Sequence, residues 1–200
     1  HLRPGPWLYA VGSPITMFDQ YEHLAYLAKV LSKDDELKTA LGTDYIVKPD
    51  IVIGRQPATD DEINYRAQLL DDSPLIGALS PMREVNRQPP LPILHASISC
   101  KWTLRNDRAQ NARTEALNLI RNRKGNLPHV ATVTAEPLPM RIMALALGTG
   151  DVDCVYHFAL RELIEAVSTL KNHDQLDALD ILIQGRRLRD ISDLPLDLAI

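Results

Sequence analysis

Between residues 92 and 102 apolar and polar side chains alternate: Leu94, Ala96, Ile98, Cys100 and Trp102 share one parity, Ser97, Ser99 and Lys101 the other. A period of two belongs to a strand with one buried face, so the pattern predicts a strand over 92–102 that sends a lysine out beside two serines. A second strand-like run, 45–53, directs Ile51 and Ile53 to the face opposite Asp50. The period then lengthens: Ala109, Ala112, Ala116, Leu119 and Ile120 form the stripe of an amphipathic helix over 107–124, stopped at Gly125. Further helices are predicted over 17–30, Asp35–Leu41, 138–147, 160–169 and 175–183, and strands over His129–Thr134 and 153–158. The proline-containing stretch 56–91, mixed in polarity, predicts no element. Helices interleaved with short apolar strands imply a layered α/β/α fold around a central mixed sheet. Two hundred residues suffice for one domain with a real core, here 1–200.

Charge changes the picture locally. The chain as a whole carries −4, which gives no support to nucleic-acid binding. From Lys101 to Lys124, however, seven bases stand against Asp107 and Glu115, a net +5. A basic stripe beside acids suits a protein that holds a polyanion, although a solvated helix face carries such runs as well. No apolar run is long enough to span a membrane, and the first residues lack a secretory pattern. Cys100 and Cys154 lie in apolar runs, fit a reduced cytoplasmic protein, and suggest no thiol chemistry, the Cys100 side chain being expected in the core. The chain offers no closely spaced cysteine and histidine ligands for zinc and no nucleophile motif for a serine or cysteine hydrolase. Gly148-Thr149-Gly150 lacks the lysine of a phosphate loop and reads as a helix stop and turn. Asp151 and Asp153 read as turn and strand-entry residues, and Arg186-Arg187-Leu188-Arg189 as a solvated turn.

The candidate chemistry gathers on Asp50, Ser99, Lys101 and Glu115. Adjacent strands would set the Asp50 carboxylate beside the Lys101 ammonium. Glu115 sits at the border of the helix stripe, where an unpaired charge is costly; a salt bridge to Lys101 is the purely structural account of it. Seven residues before Glu115, two turns and roughly 10 Å along the same helix face, lies Arg108. Arginine pairs bidentately with guanine and aspartate accepts from cytosine, so Arg105, Asp107 and Arg108 suit G·C pairs in a major groove. Asp107 equally suits a helix N-cap.

Asp50, then Ser99-Cys100-Lys101, then Glu115 resembles the variant of the PD-(D/E)xK nuclease motif found in type II restriction endonucleases that recognise CCGG-core sites. In that subgroup a serine stands two residues before the lysine and the glutamate has moved to the following helix. The run from Ser99 to Glu115, Phe18-Asp19-Gln20-Tyr21, and Leu147-Gly148-Thr149-Gly150-Asp151 extend the similarity to the NgoMIV-like family over most of the chain. The resemblance implies a restriction-endonuclease-like fold and a Mg²⁺-dependent endonuclease with two ions per active site. Asp50, Glu115 and the backbone carbonyl of Cys100 would be the ligands, and Lys101 would orient or deprotonate the attacking water. It implies cleavage of double-stranded DNA at a palindrome such as GCCGGC, leaving 5′-phosphates, with Arg105, Asp107 and Arg108 reading the core and Arg141 an outer pair. It implies a cytoplasmic bacterial homotetramer, a dimer of dimers, whose host holds a companion methyltransferase that is not a physical partner. An N-terminal segment of the family, carrying a further acidic residue, is expected to lie before His1. The competing reading is a catalytically inactive, sequence-specific DNA-binding protein on the same fold.

Overall fold

The computed structural model describes residues 6–42, 45–71, 73, 75–147 and 150–199. In chain order the elements are β1 (Trp7–Val11), α1 (Glu22–Leu31), α2 (Asp35–Leu41), β2 (Ile51–Arg55), α3 (Asp60–Asn64), β3 (Ile93–Lys101), α4 (Asn106–Asn122), β4 (His129–Thr134), α5 (Pro139–Ala146), β5 (Cys154–His157), α6 (Leu160–Leu170), α7 (His173–Gln184), β6 (Leu188–Asp190) and α8 (Leu194–Asp197). The six strands form one sheet in the order β1-β2-β3-β4-β5-β6. The first three are antiparallel neighbours, while β3 to β6 run parallel, with α4, α5 and the α6–α7 pair as crossovers. The expected mixed α/β sheet is present.

Its two faces are covered unequally. Val52, Leu94, Val130, Val155 and Leu188 pack under Phe18, Tyr21 and Leu24 and under the helices carrying Ala112, Leu119, Ile142, Leu163 and Leu179. On the other face Ile98, Ala131, Cys154 and Tyr156 form a smaller cluster with Ile51, Ile53 and Val133, which the C-terminal turn and α8 cover through Ile191, Leu194 and Leu198. The inner stripe of α4 is Ala109, Ala112, Ala116 and Leu119, and three small side chains in that stripe let the helix lie close to the sheet. Ile120, expected in the stripe, is only partly buried.

The alternation of β3 holds from Ala96 to Lys101 but breaks below it. Register with β2 slips between Ile53 and Gly54: Ile53 faces Ala96, Gly54 faces Leu94, and His95 is passed over. A one-residue slip moves the following side chains to the other face, so Leu94 joins the helix-covered cluster while Ile98 joins the other. The Gln20 amide braces the irregularity, donating to Leu94 O and accepting from Leu94 N, both at 2.8 Å. Gly54 is required there because a Cβ would lie 2.6 Å from the ring of Phe18, which is fully buried.

Several expectations shift. The helix expected over 17–30 begins only at Glu22, after two short 3-10 turns, and of the strand expected over 45–53 only Ile51–Ile53 lies in β2. β1, β6 and α8 were not expected; Leu188 and Arg189 belong to β6, not to a solvated turn. The unassigned stretch 56–91 contains α3, tied by a two-pronged Arg83–Asp60 pair at 2.6 Å in each arm. The Gly148-Thr149 part of the expected turn lies outside the described residues.

Overpacking a well-filled site costs about 1–3 kcal/mol. Gly54→Ala is expected to destabilise the protein by about that much, read as a lowered thermal midpoint, with part of the loss recovered by Phe18→Leu. An unchanged midpoint would mean that Phe18 does not hold this position.

Candidate active site

β2 and β3 are antiparallel, with Ile51 opposite Ile98, so the residue entering β2 meets the last residues of β3. Asp50 occupies that entry. Its Oδ2 accepts from the Cys100 amide at 2.6 Å and from Lys101 Nζ at 3.1 Å. The backbone is anchored as well, Asp50 O accepting from Gly12 N at 3.0 Å. The amide bond fixes one carboxylate oxygen directly before the lysine. Lys101 is largely buried and Asp50 is 44 % exposed, so solvent weakens the ion pair's contribution to stability while leaving its geometry defined.

Ser97, Ser99 and Lys101 emerge on the face covered by α4, beside the buried Thr132 and Thr134 of β4. Glu115, partly buried, reaches the same place from α4. Its pKa is raised, chiefly by desolvation and also by the negative charge of Asp50, while Lys101 and Ser99 oppose the shift. Lys101 makes its ion pair with Asp50 rather than with Glu115, so the salt-bridge account of Glu115 does not hold. The Ser99 hydroxyl favours charged Glu115 by its nearness, yet its buried Oγ closes no hydrogen bond. Asp50, Ser99, Lys101 and Glu115 are thus brought together as the sequence pattern required.

Cys100 departs from expectation. It is exposed at the end of β3 rather than sited in the core. Partial desolvation and the Asp50 charge push its thiol pKa up, so it stays protonated near neutrality.

Two carboxylates beside a cation are a hard-oxygen set, and Mg²⁺ is commonly held by one or two carboxylates together with water. The donor set therefore fits this ion. Among the described residues no group of three or more histidine, cysteine or acidic side chains converges, so a ligand-rich cage for another metal is absent there.

The start of α4 presents Arg105, Asn106, Asp107 and Arg108 to solvent. The N-cap is Arg105, which makes no side-chain cap, and Asp107 lies within the first turn; the N-cap reading of Asp107 does not hold. Arg108 Nη1 donates to Thr103 Oγ1 at 3.2 Å. The basic stripe is smaller than its count suggests, because Arg113 donates to Ala144 O at the end of α5 and Arg123 to Ile120 O. Arg141 stands in the first turn of α5, partly exposed, 3.5 Å from Glu136. Glu136, fully buried, received no attention in the sequence reading. The available signal was its place just past the end of a parallel strand, where α/β proteins build their sites.

The chain matches the model of the NgoMIV restriction enzyme over residues 1–200. It is 53% identical over 205 aligned residues to the type II restriction enzyme NgoMIV of Neisseria gonorrhoeae, covering 100% of this chain and 70% of that protein. The chain belongs to the NgoMIV restriction enzyme family. This is a family of site-specific deoxyribonucleases, and the expected resemblance is borne out. A solved PspGI restriction endonuclease–DNA complex aligns at 24% identity and a TM-score of 0.34, covering 52% of this chain and 38% of that one. Among the described residues no helix is long and apolar enough to cross a membrane.

The Glu115 shift has a definite sign. A carboxyl whose pKa is raised in the folded state holds its proton to higher pH than in the unfolded chain. Stability therefore falls as pH rises from the ordinary carboxylate value through the raised one, and stays lower above it. Glu115→Gln is expected to melt higher than the parent at neutral pH, with the difference closing as pH falls below the ordinary carboxylate range. Parallel melting curves across that window would show that Glu115 is not strained by desolvation.

Proposed function

We propose that this chain is a Mg²⁺-dependent type II restriction endonuclease that cuts double-stranded DNA at a palindrome with a CCGG core, GCCGGC in full, leaving 5′-phosphates. The supporting observation is the meeting of Asp50, Lys101, Ser99 and Glu115 on one sheet face, with Arg105, Asp107 and Arg108 exposed at the start of the helix that carries Glu115. Asp50, Glu115 and the Cys100 carbonyl would hold the metal. When bound, Mg²⁺ lowers the pKa of water and offsets charge on the phosphate.

The remaining work falls to side chains. Asp50 keeps Lys101 extended toward the scissile phosphate through their 3.1 Å contact. Lys101 orients the attacking water and sets its positive charge against the negative charge that develops on the phosphate oxygens. Water oxygen bonds to phosphorus in line with the departing 3′ oxygen and gives up a proton to solvent, the P–O3′ bond breaks, and the 3′ oxygen takes a proton from solvent. The 5′-phosphate remains on the other strand end. Ser99 stands where the common motif carries an acid, and its hydroxyl supports the charged form of Glu115. Arg105 and Arg108 read guanines and Asp107 cytosine amino groups in the core, while Arg141 reads the outer pair. The enzyme acts as a homotetramer in the bacterial cytoplasm, its host DNA guarded by a companion methyltransferase.

With Mg²⁺, cutting is expected on a plasmid carrying GCCGGC and not on one with a scrambled site. Lys101→Ala is expected to lower the cutting rate by ~10²–10⁴-fold, the range for losing a group that positions or moves a proton, while site binding stays within a few-fold. Undiminished cutting by that variant would remove Lys101 from the mechanism. Sedimentation should give the mass of four chains; a monomer or dimer at working concentration would overturn the tetramer.

A further inference from the structure

Glu136 is a carboxylate with no exposed surface, a placement that costs several kcal/mol unless every acceptor is used. Each of its oxygens is committed to a different arm of the molecule. Oε2 accepts from the Leu104 amide at 2.7 Å, and Leu104, itself buried, directly precedes Arg105. Oε1 accepts from the Leu138 amide at 3.2 Å and lies 3.5 Å from Arg141 Nη1; Leu138 is the N-cap of α5. The backbone is clamped too, Glu136 N donating to Thr134 Oγ1 at 3.1 Å. Glu136 O faces His157 Nε2 at 3.1 Å, and because His157 Nδ1 accepts from Ala159 N, the ring proton sits on Nε2 and donates to Glu136 O.

We propose that Glu136 is a positioning residue that sets the spacing between the two DNA-reading elements, the Arg105–Arg108 turn of α4 and the Arg141 turn of α5. The proposal rests on the reader assignment above. Glutamate suits the task because two oxygens take two amides at once. Glutamine offers one acceptor and would turn an NH₂ toward a backbone N–H. A buried charge is a poor source of stability; its value here is that neither arm can move without stripping an acceptor from the other.

The test compares binding of duplexes carrying GCCGGC, a changed core pair or a changed outer pair, with Ca²⁺ replacing Mg²⁺ so that binding is read without cutting. Glu136→Gln is expected to lose at least about tenfold of its discrimination at both core and outer positions, each good bidentate contact being worth ~1–3 kcal/mol. Arg141→Ala is expected to lose it at the outer pair alone. A folded Glu136→Gln protein that discriminates fully overturns the proposal, provided Arg108→Ala loses core discrimination in the same assay. If Arg108→Ala also discriminates fully, the reader assignment itself is wrong. Amide hydrogen exchange on the unmodified protein gives an answer independent of whether the variant folds. Protection of Leu104 and Leu138 N–H should rise together with the GCCGGC duplex and not with the scrambled one; an unchanged rate at either amide overturns the clamp.

Discussion

Two carboxylates held close together in a half-buried crevice repel each other, and a single ammonium keeps them there. Lys101 lies against Asp50 at 3.1 Å and its charge also reaches Glu115, which desolvation and Asp50 together push toward protonation. The elements that converge on the site meet under this constraint. Asp50 is fixed by a main-chain amide before the side-chain pairing begins. α4 comes near enough to deliver Glu115 because its inner face is built from Ala109, Ala112 and Ala116. Larger residues in that stripe would hold the glutamate away from the sheet face that carries Ser99 and Lys101. Such a crowded arrangement is what a nuclease retains at the expense of stability.

On the proposed roles, recognition and cutting share one continuous segment. The strand that carries Ser99 and Lys101 runs into the Arg105–Arg108 turn and then into the helix of Glu115, so a shift of α4 on a base edge also moves a site carboxylate. The arginines of this helix divide between two tasks. Arg113 and Arg123 are taken up by carbonyls of helical segments, while Arg105 and Arg108 face solvent at its start. Counting charges along a sequence does not separate these uses, because both types of arginine lie on the same amphipathic helix.

The site was legible because its residues fall on regular elements. Period-two alternation placed Ser99 and Lys101 on one face, and the alanine stripe placed Glu115 toward the sheet. Three things escaped. Leu94 lies on the face opposite to the one alternation gave it, because the slip at His95 depends on Gln20, far away in sequence. β1 and β6 are edge strands: β1 has no buried residue to mark an inner face, and β6 is only three residues long. Glu136 lies in the loop after a strand end, where no periodicity speaks, and the Leu104 amide that it accepts from is brought near only by the fold. The Cys100 side chain was misplaced because alternation continues up to the strand's end while the covering layer does not.

Strand order in this sheet follows chain order without exception. No later strand has to be threaded between earlier ones, so each strand from β2 onward pairs with the one just before it in the chain. Asp50, Ser99, Lys101 and Glu115 are all present once α4 has emerged. The last hold on Glu136 comes from His157, on β5, added afterwards at the growing edge. On the proposed roles, the residues that cut are therefore complete in the chain before the last contact that steadies the site-reading arms is supplied.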